Sequence, residues 1–212
     1  MTVRGICYRC RKDPPDPIRG IRSVFFYQGA IGQAIRSLKY HGVRELAPIL
    51  GAYLVDYIRE HPIPIDALVP VPLHAERLAA RGFNQSELLA QVITDTLGIP
   101  TRSDILHRTR ATESQAHLNR IQRQQNVAGA FAVPKDIDLR GMTLLLIDDV
   151  ATTGATLRAC AQPLHRAGAK AIWALTVARA HFATTMTSPT LSPEDAFLLW
   201  DEARKRSSDI EP

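Results

Sequence analysis

Two adjacent carboxylates, Asp148 and Asp149, are followed by a run of small and hydroxyl-bearing residues: Val150, Ala151, Thr152, Thr153, Gly154, Ala155 and Thr156. A turn of small residues feeding a helix lets a phosphate approach free backbone N–H groups at the positive end of the helix dipole. The threonine hydroxyls add further donors. Two acids would repel a bare phosphate, so they need a different partner. They make sense if they accept hydrogen bonds from vicinal hydroxyls and face a metal ion. A ribose 5-phosphate satisfies both halves, with its phosphate in the turn and its 2- and 3-hydroxyls on the acids.

These residues must be held by a strand and a helix. Met142 to Ile147 is a nearly continuous apolar run, as expected of a strand buried on both faces of a parallel sheet, and the acids fall where that strand should end. Leu157 to Ala167 reads as the following helix, stopped near Gly168. In open α/β sheets, ligands bind outside the carboxyl ends of strands, which is where this turn would lie. A receiver domain also pairs an apolar strand with two acids, but it needs about a hundred residues of α/β fold after them, and only 63 follow Asp149. A P-loop needs Gly-Lys-Ser/Thr, and the turn contains no lysine.

Upstream, Val24 to Tyr27 reads as a strand, Ala30 to Tyr40 as a helix with Gly42 at its C-cap, and Arg44 to His61 as a second helix stopped by prolines. Lys39 is either a solvated helix-end cation or a charge reaching the ligand. Asp66 to Val71 is the next strand, with Pro70 and Pro72 at its exit. The loop Leu73-His74 and the helix after it form a second candidate anion site. Arg77 and Arg81 share one face of that helix, which otherwise is an exposed basic face. Asn84 can cap a helix from Gln85 to Leu97. Ile105 to Arg108 reads as a short strand. Thr109 to Gln125 is basic and nearly free of apolar residues, which fits a lid closing over an anionic ligand or, more plainly, an exposed loop and helix. Arg108, Arg110, Gln115 and Arg123 are its candidate contacts. Val127 to Val133 alternates as a strand returning to the sheet, and Ala171 to Ala178 is the last core strand.

Cys7 and Cys10 have the spacing of half a zinc site; the alternative is an orphaned pair without metal. Cys160 falls in the helix after the turn and reads as core. The 212 residues are 45% hydrophobic, enough for one α/β domain with appendages, and contain no apolar run long enough to span a bilayer. The first residues lack the apolar region of a secretory signal, so a cytoplasmic protein is expected. Net charge is +5 and the pI about 9.4, compatible with phosphate-bearing ligands or nucleic acid. The expected organisation is a Cys-x-x-Cys leader over 1–20, the α/β domain over 21–180, and a tail over 181–212 with a short amphipathic helix.

The Asp148–Thr156 segment resembles the phosphoribosyl pyrophosphate (PRPP) signature of type I phosphoribosyltransferases. With Leu38-Lys39-Tyr40-x-Gly42, Val69-Pro70-Val71-Pro72-Leu73-His74, Arg81-Gly82-Phe83-Asn84-Gln85, Arg110-x-Thr112-x-x-Gln115 and Arg123-x-x-Asn126-Val127, it is similar to the ComF family of competence-associated, phosphoribosyltransferase-like proteins. The resemblance covers residues 5 to 180. It implies a type I phosphoribosyltransferase fold, a mainly parallel central sheet flanked by helices with a small hood, and a link to DNA uptake. It also implies Asp148 and Asp149 as catalytic acids, 150–156 as the PRPP site, and Leu73, His74 and Arg77 as the pyrophosphate loop. Mg²⁺ would arrive with PRPP, as in a Mg-dependent phosphoribosyltransferase. Family members usually carry further Cys-x-x-Cys pairs upstream in a zinc module. Here Cys7 and Cys10 would be its last pair, through either an internal start or decay of the module. Thr152 stands where hypoxanthine-type relatives carry a base-reading acid, as in the orotate type, yet the lid lacks the orotate type's lysine, and the acceptor stays open. A non-catalytic PRPP or nucleotide sensor, or a module binding single-stranded DNA, is the alternative. Competence proteins and a second copy of the chain are further candidate partners.

Overall fold

The computed structural model describes residues 16–110 and 126–180. Six strands and five helices follow along them: β1 (Gly20–Phe26), α1 (Gly29–Tyr40), α2 (Leu46–Glu60), β2 (Ala67–Pro70), α3 (Ala75–Arg81), α4 (Gln85–Leu97), β3 (His107–Arg108), β4 (Phe131–Ala132), β5 (Thr143–Ala151), α5 (Ala155–Arg166) and β6 (Ala171–Arg179). The main sheet has the order β1-β6-β5-β2, and all three pairings are parallel. β5 lies inside it, with Ile147 opposite Leu175 on one side and Pro70 on the other.

Because successive side chains of a strand point to opposite faces, the apolar run of β5 feeds two cores. Leu144 and Leu146 join α5, through Leu157, Cys160, Ala161 and Leu164. Leu145 and Ile147 join α1, α2 and α4, through Ile35, Leu38, Leu50, Leu54, Leu89 and Ile93. Each fully buried Leu or Ile contributes about 1.5–3 kcal/mol, so the two-sided burial of β5 fixes its place in the middle of the molecule. Among the described residues, no helix is long and apolar enough to cross a membrane.

Two expectations need correction. The acids do not follow the central strand but lie within it: pairing with β6 continues through Val150 opposite Ala178 and Ala151 opposite Arg179. Residues 127–133 do not return to the main sheet. Only Phe131–Ala132 is strand, and it pairs antiparallel with His107–Arg108 in a separate two-stranded ribbon. Gly129 at φ +67° and the Ala130 N–H donating to Val127 O turn the chain where the alternating pattern suggested a strand. The Cys-x-x-Cys leader, most of the lid with Gln115 and Arg123, and the tail lie outside the described residues.

Candidate functional site

Asp148 and Asp149 stand at the carboxyl end of β5, 9% and 2% exposed. A buried carboxylate needs partners, and each acid has its own. The Lys39 ammonium, in the last turn of α1, reaches Asp149 Oδ2 at 2.5 Å and is itself only 21% exposed. Ser86 Oγ donates to Asp148 Oδ1 at 3.1 Å, and the Asp149 N–H donates to the same oxygen at 2.9 Å. Burial, then the charge of Asp149, pushes the Asp148 carboxyl up to about 7, with Lys39 opposing. Burial alone would pull Lys39 down, but the charges of Asp149 and Asp148 and the hydrogen bond to Asp149 outweigh it and hold the ammonium above its ordinary value.

Ser86 is aimed by the segment before it. Asn84 Oδ1 accepts the Ser86 N–H at 3.0 Å and caps α4, while Asn84 Nδ2 donates to Val71 O at 3.1 Å, just beyond β2. Arg81 donates to Gln85 Oε1. Arg44 lies over the Phe83 ring at 4.7 Å and donates to Gly82 O at 3.3 Å. The Arg81–Gln85 segment thus ties the ends of β2 and α3 to the start of α4 and braces Asp148 from behind.

The turn after β5 leads directly into α5. Gly154 is the N-cap of α5 at φ +76°, and Thr153 Oγ1 accepts the Ala155 N–H at 3.3 Å. A Cβ on Gly154 would lie 2.7 Å from Arg158 Nη1 and 2.8 Å from Ile21 Cδ1, side-chain ends that can shift, so it is the positive φ that demands glycine. Arg158 braces the turn from outside: Nη1 donates to Thr153 O at 3.0 Å and Nε to Asp16 Oδ2 at 2.8 Å. Thr152, Thr153 and Thr156 are half-buried around this helix start.

Of the candidate pyrophosphate loop, Leu73 and His74 are half-buried, and His74 Nδ1 lies 3.7 Å from Glu76 Oε2. Arg77 is exposed on the seven-residue α3. Arg108 lies over the Phe131 ring at 5.4 Å. Burial, then the charge of Arg77, holds the Arg108 guanidinium below its ordinary value, while Cys160 and Asp148 act in the other direction. The fold therefore brings Arg108 into the electrostatic reach of both Asp148 and Arg77. Arg110 is a different kind of residue: Nη2 donates to Asn126 O at 3.0 Å and Ala128 O at 3.1 Å, so it is held against the backbone of 126–128. Cys160 is core, its thiol pushed well above its ordinary value by burial and then by Asp148.

Sequence reasoning missed two parts of the site and left a third, Lys39, open. Ser86 follows a cap motif that was visible, but its partner is 62 residues away. Lys39 was weighed only as one of two readings. The Asp16–Arg158 brace joins residues 142 apart and left no local signal.

An acid pair on the inner strand of a parallel sheet, followed at once by a glycine-capped helix start, is the arrangement of a phosphoribosyltransferase-type domain. Residues 49–196 match the family model described as a phosphoribosyl transferase domain. The chain is 35% identical over 176 residues to the DNA utilization protein YhgH of Salmonella typhi, covering 80% of this chain and 76% of that one. It is 36% identical over 140 residues to competence protein F of Haemophilus influenzae, covering 65% and 61%. With competence protein ComFC of Bacillus subtilis it shares 29% identity over 177 residues, covering 79% and 69%. The chain belongs to the phosphoribosyltransferase-domain family and, within it, to the ComF proteins.

Proposed function

We propose that the chain binds PRPP at the carboxyl end of β5, with the 5-phosphate at Thr152 to Thr156 and the ribose hydroxyls on Asp148 and Asp149. The observation that carries this reading is the pair of buried carboxylates in the last residues of β5, whose exit turn leads into the glycine-capped start of α5. The pyrophosphate would lie toward Leu73, His74 and Arg77, with Arg108 on its far side. In a transfer reaction the bond between ribosyl C1 and the pyrophosphate oxygen breaks, and its electron pair leaves with the pyrophosphate. A lone pair of the acceptor forms the new bond at C1. The ribosyl centre gains positive charge on the way, as in glycosidic cleavage, and the carboxylates stabilise it. Arg108 and Arg77 supply positive charge for the leaving group.

Among the described residues no group of three or more His, Cys, Asp or Glu side chains could hold a metal ion. Two carboxylates, one engaged by Lys39, do not make a metal cage. Mg²⁺ fits this site as a companion of the ligand, held by pyrophosphate and ribose oxygens and water, where it would neutralise the leaving charge. The names of the relatives, DNA utilization and competence proteins, support DNA uptake as the setting; the ribosyl acceptor stays open, and a sensing role without an acceptor is the alternative.

Calorimetry with PRPP and Mg²⁺, on the wild type and on an Asp148→Ala/Asp149→Ala double variant, tests the site. Binding to the wild type and its loss in the variant are expected; equal affinities would sink the assignment. Release of pyrophosphate in the presence of an acceptor would mark an enzyme, and tight binding without turnover a sensor.

A further inference from the structure

Acid pairs of this kind ordinarily attract a divalent cation, since Mg²⁺ is commonly held by one or two carboxylates together with substrate oxygens. Here the position is contested by the protein itself. Lys39 reaches Asp149 Oδ2 at 2.5 Å from the end of α1, and Asp149 is almost completely buried. The ammonium is held from two directions. Leu38 and Ile35 of the same helix are fully buried against the sheet, so α1 cannot drift away from β5. The neighbouring Asp148 is occupied by Ser86 Oγ and the Asp149 N–H, which leaves Lys39 on the Asp149 side.

We infer that Lys39 is a built-in counter-ion that takes the place of a divalent cation at the acid pair. The pair can then receive the ribose hydroxyls of a phosphoribosyl ligand without a metal bound directly to the carboxylates. The inference deepens the phosphoribosyl reading and rests on it for the ligand, but the exclusion of metal concerns this chain's residues alone. An ammonium on a flexible stem satisfies one carboxylate as a point charge and leaves the remaining oxygen lone pairs free for hydroxyl donors. A divalent cation in the same place would draw both carboxylates into its coordination shell. The metal that travels with the ligand is thereby kept on ligand oxygens and water, without a direct bond to either carboxylate. Lys39 also links α1 to the ribose subsite, since any ligand that competes for Asp149 Oδ2 acts directly on the last turn of that helix.

A purely structural role for Lys39, fastening α1 to β5, makes different predictions, and two measurements separate the readings. The first is Mn²⁺ binding, followed by loss of the free-ion paramagnetic resonance signal, to wild type, Lys39→Met and Lys39→Arg with no other ligand present. Wild type and Lys39→Arg are expected to leave Mn²⁺ free, and Lys39→Met to bind it about tenfold tighter or more, because two uncompensated carboxylates remain. The second is ribose 5-phosphate affinity in EDTA and in excess Mg²⁺. Wild type is expected to bind equally in both. Lys39→Met should bind about tenfold more weakly in EDTA and recover with Mg²⁺, as a metal returns to the vacated place. Mn²⁺ bound at the acid pair of the wild type overturns the inference without reference to any variant. So does a folded Lys39→Met that binds no Mn²⁺, or a loss of affinity that Mg²⁺ does not repair. Should Lys39→Met not fold, Lys39→Gln carries the same comparison. Failure of the wild type to bind ribose 5-phosphate would sink the phosphoribosyl reading, while the Mn²⁺ measurement would still decide the role of Lys39.

Discussion

Burial and the adjacent charge of Asp149 hold the Asp148 carboxyl at about 7, against an ordinary value of 3.8. A group raised in this way favours the fold fully below its unfolded value. That contribution is lost as pH rises through about 7. Asp148→Asn removes the loss, so its melting temperature relative to wild type should be higher at pH 8 than at pH 5, by the equivalent of about 2–4 kcal/mol. Thermal melts at the two pH values check this, and a difference of the opposite sign would mean that Asp148 is ionised and well solvated. The groups facing Asp148 are Asp149, Lys39, Ser86, Arg108 and Cys160, and Lys39 keeps its charge across the whole interval. A second residue-scale outcome concerns Gly154. A methyl group there meets Arg158 and Ile21 and must adopt φ +76°, so Gly154→Ala should lose more than about 1 kcal/mol of stability and weaken phosphate-bearing ligands. Chemical unfolding and calorimetry would report the two effects separately.

At the scale of elements, α2 and α4 pack closely at Gly51, where a Cβ would lie 2.7 Å from Val92 Cβ. Gly51→Ala should cost about 1–3 kcal/mol by overpacking, and the added change Val92→Ala should restore part of it. Urea unfolding of the single and double variants tests the pairing. The brace Asp16–Arg158–Thr153 predicts that Arg158→Ala loosens the turn before α5, lowering ribose 5-phosphate affinity several-fold while leaving the core and the melting temperature nearly unchanged; a calorimetric titration decides. Some of this was legible in advance. The helix α5 announced itself by Gly154, the small turn and an apolar stripe, and α4 by its capping Asn84. The inner strand was visible as an apolar run, but its end was not, because the hydrogen-bond ladder with β6 continues beneath polar side chains that hydrophobicity does not track. The 127–133 stretch misled for the reverse reason: it alternates like a strand, while Gly129 turns the backbone away. Lys39 at a helix end looks alike whether solvated or paired, and only the crossing of α1 over β5 separates the two.

For the molecule as a whole, the sheet order has a consequence for how the chain is made. β1 is the first strand of the described chain and β6 the last, yet they are neighbours, with Ser23 and Thr176 hydrogen-bonded across 153 residues of sequence. Closing so long a loop is entropically slow, and contacts of this separation form late. During synthesis β1 has no strand partner until nearly all of the domain has left the ribosome. Its side chains at Ile21, Val24 and Phe25 must wait for β6 to close the sheet over the site. Stalled nascent chains in which β6 has not left the ribosome should therefore stay sensitive to protease, and adding a C-terminal linker long enough for Arg179 to emerge should protect the whole domain in one step. Early protection of β1 in the shorter chains would contradict this order. Among the described strands, the one translated first is the one that completes the sheet.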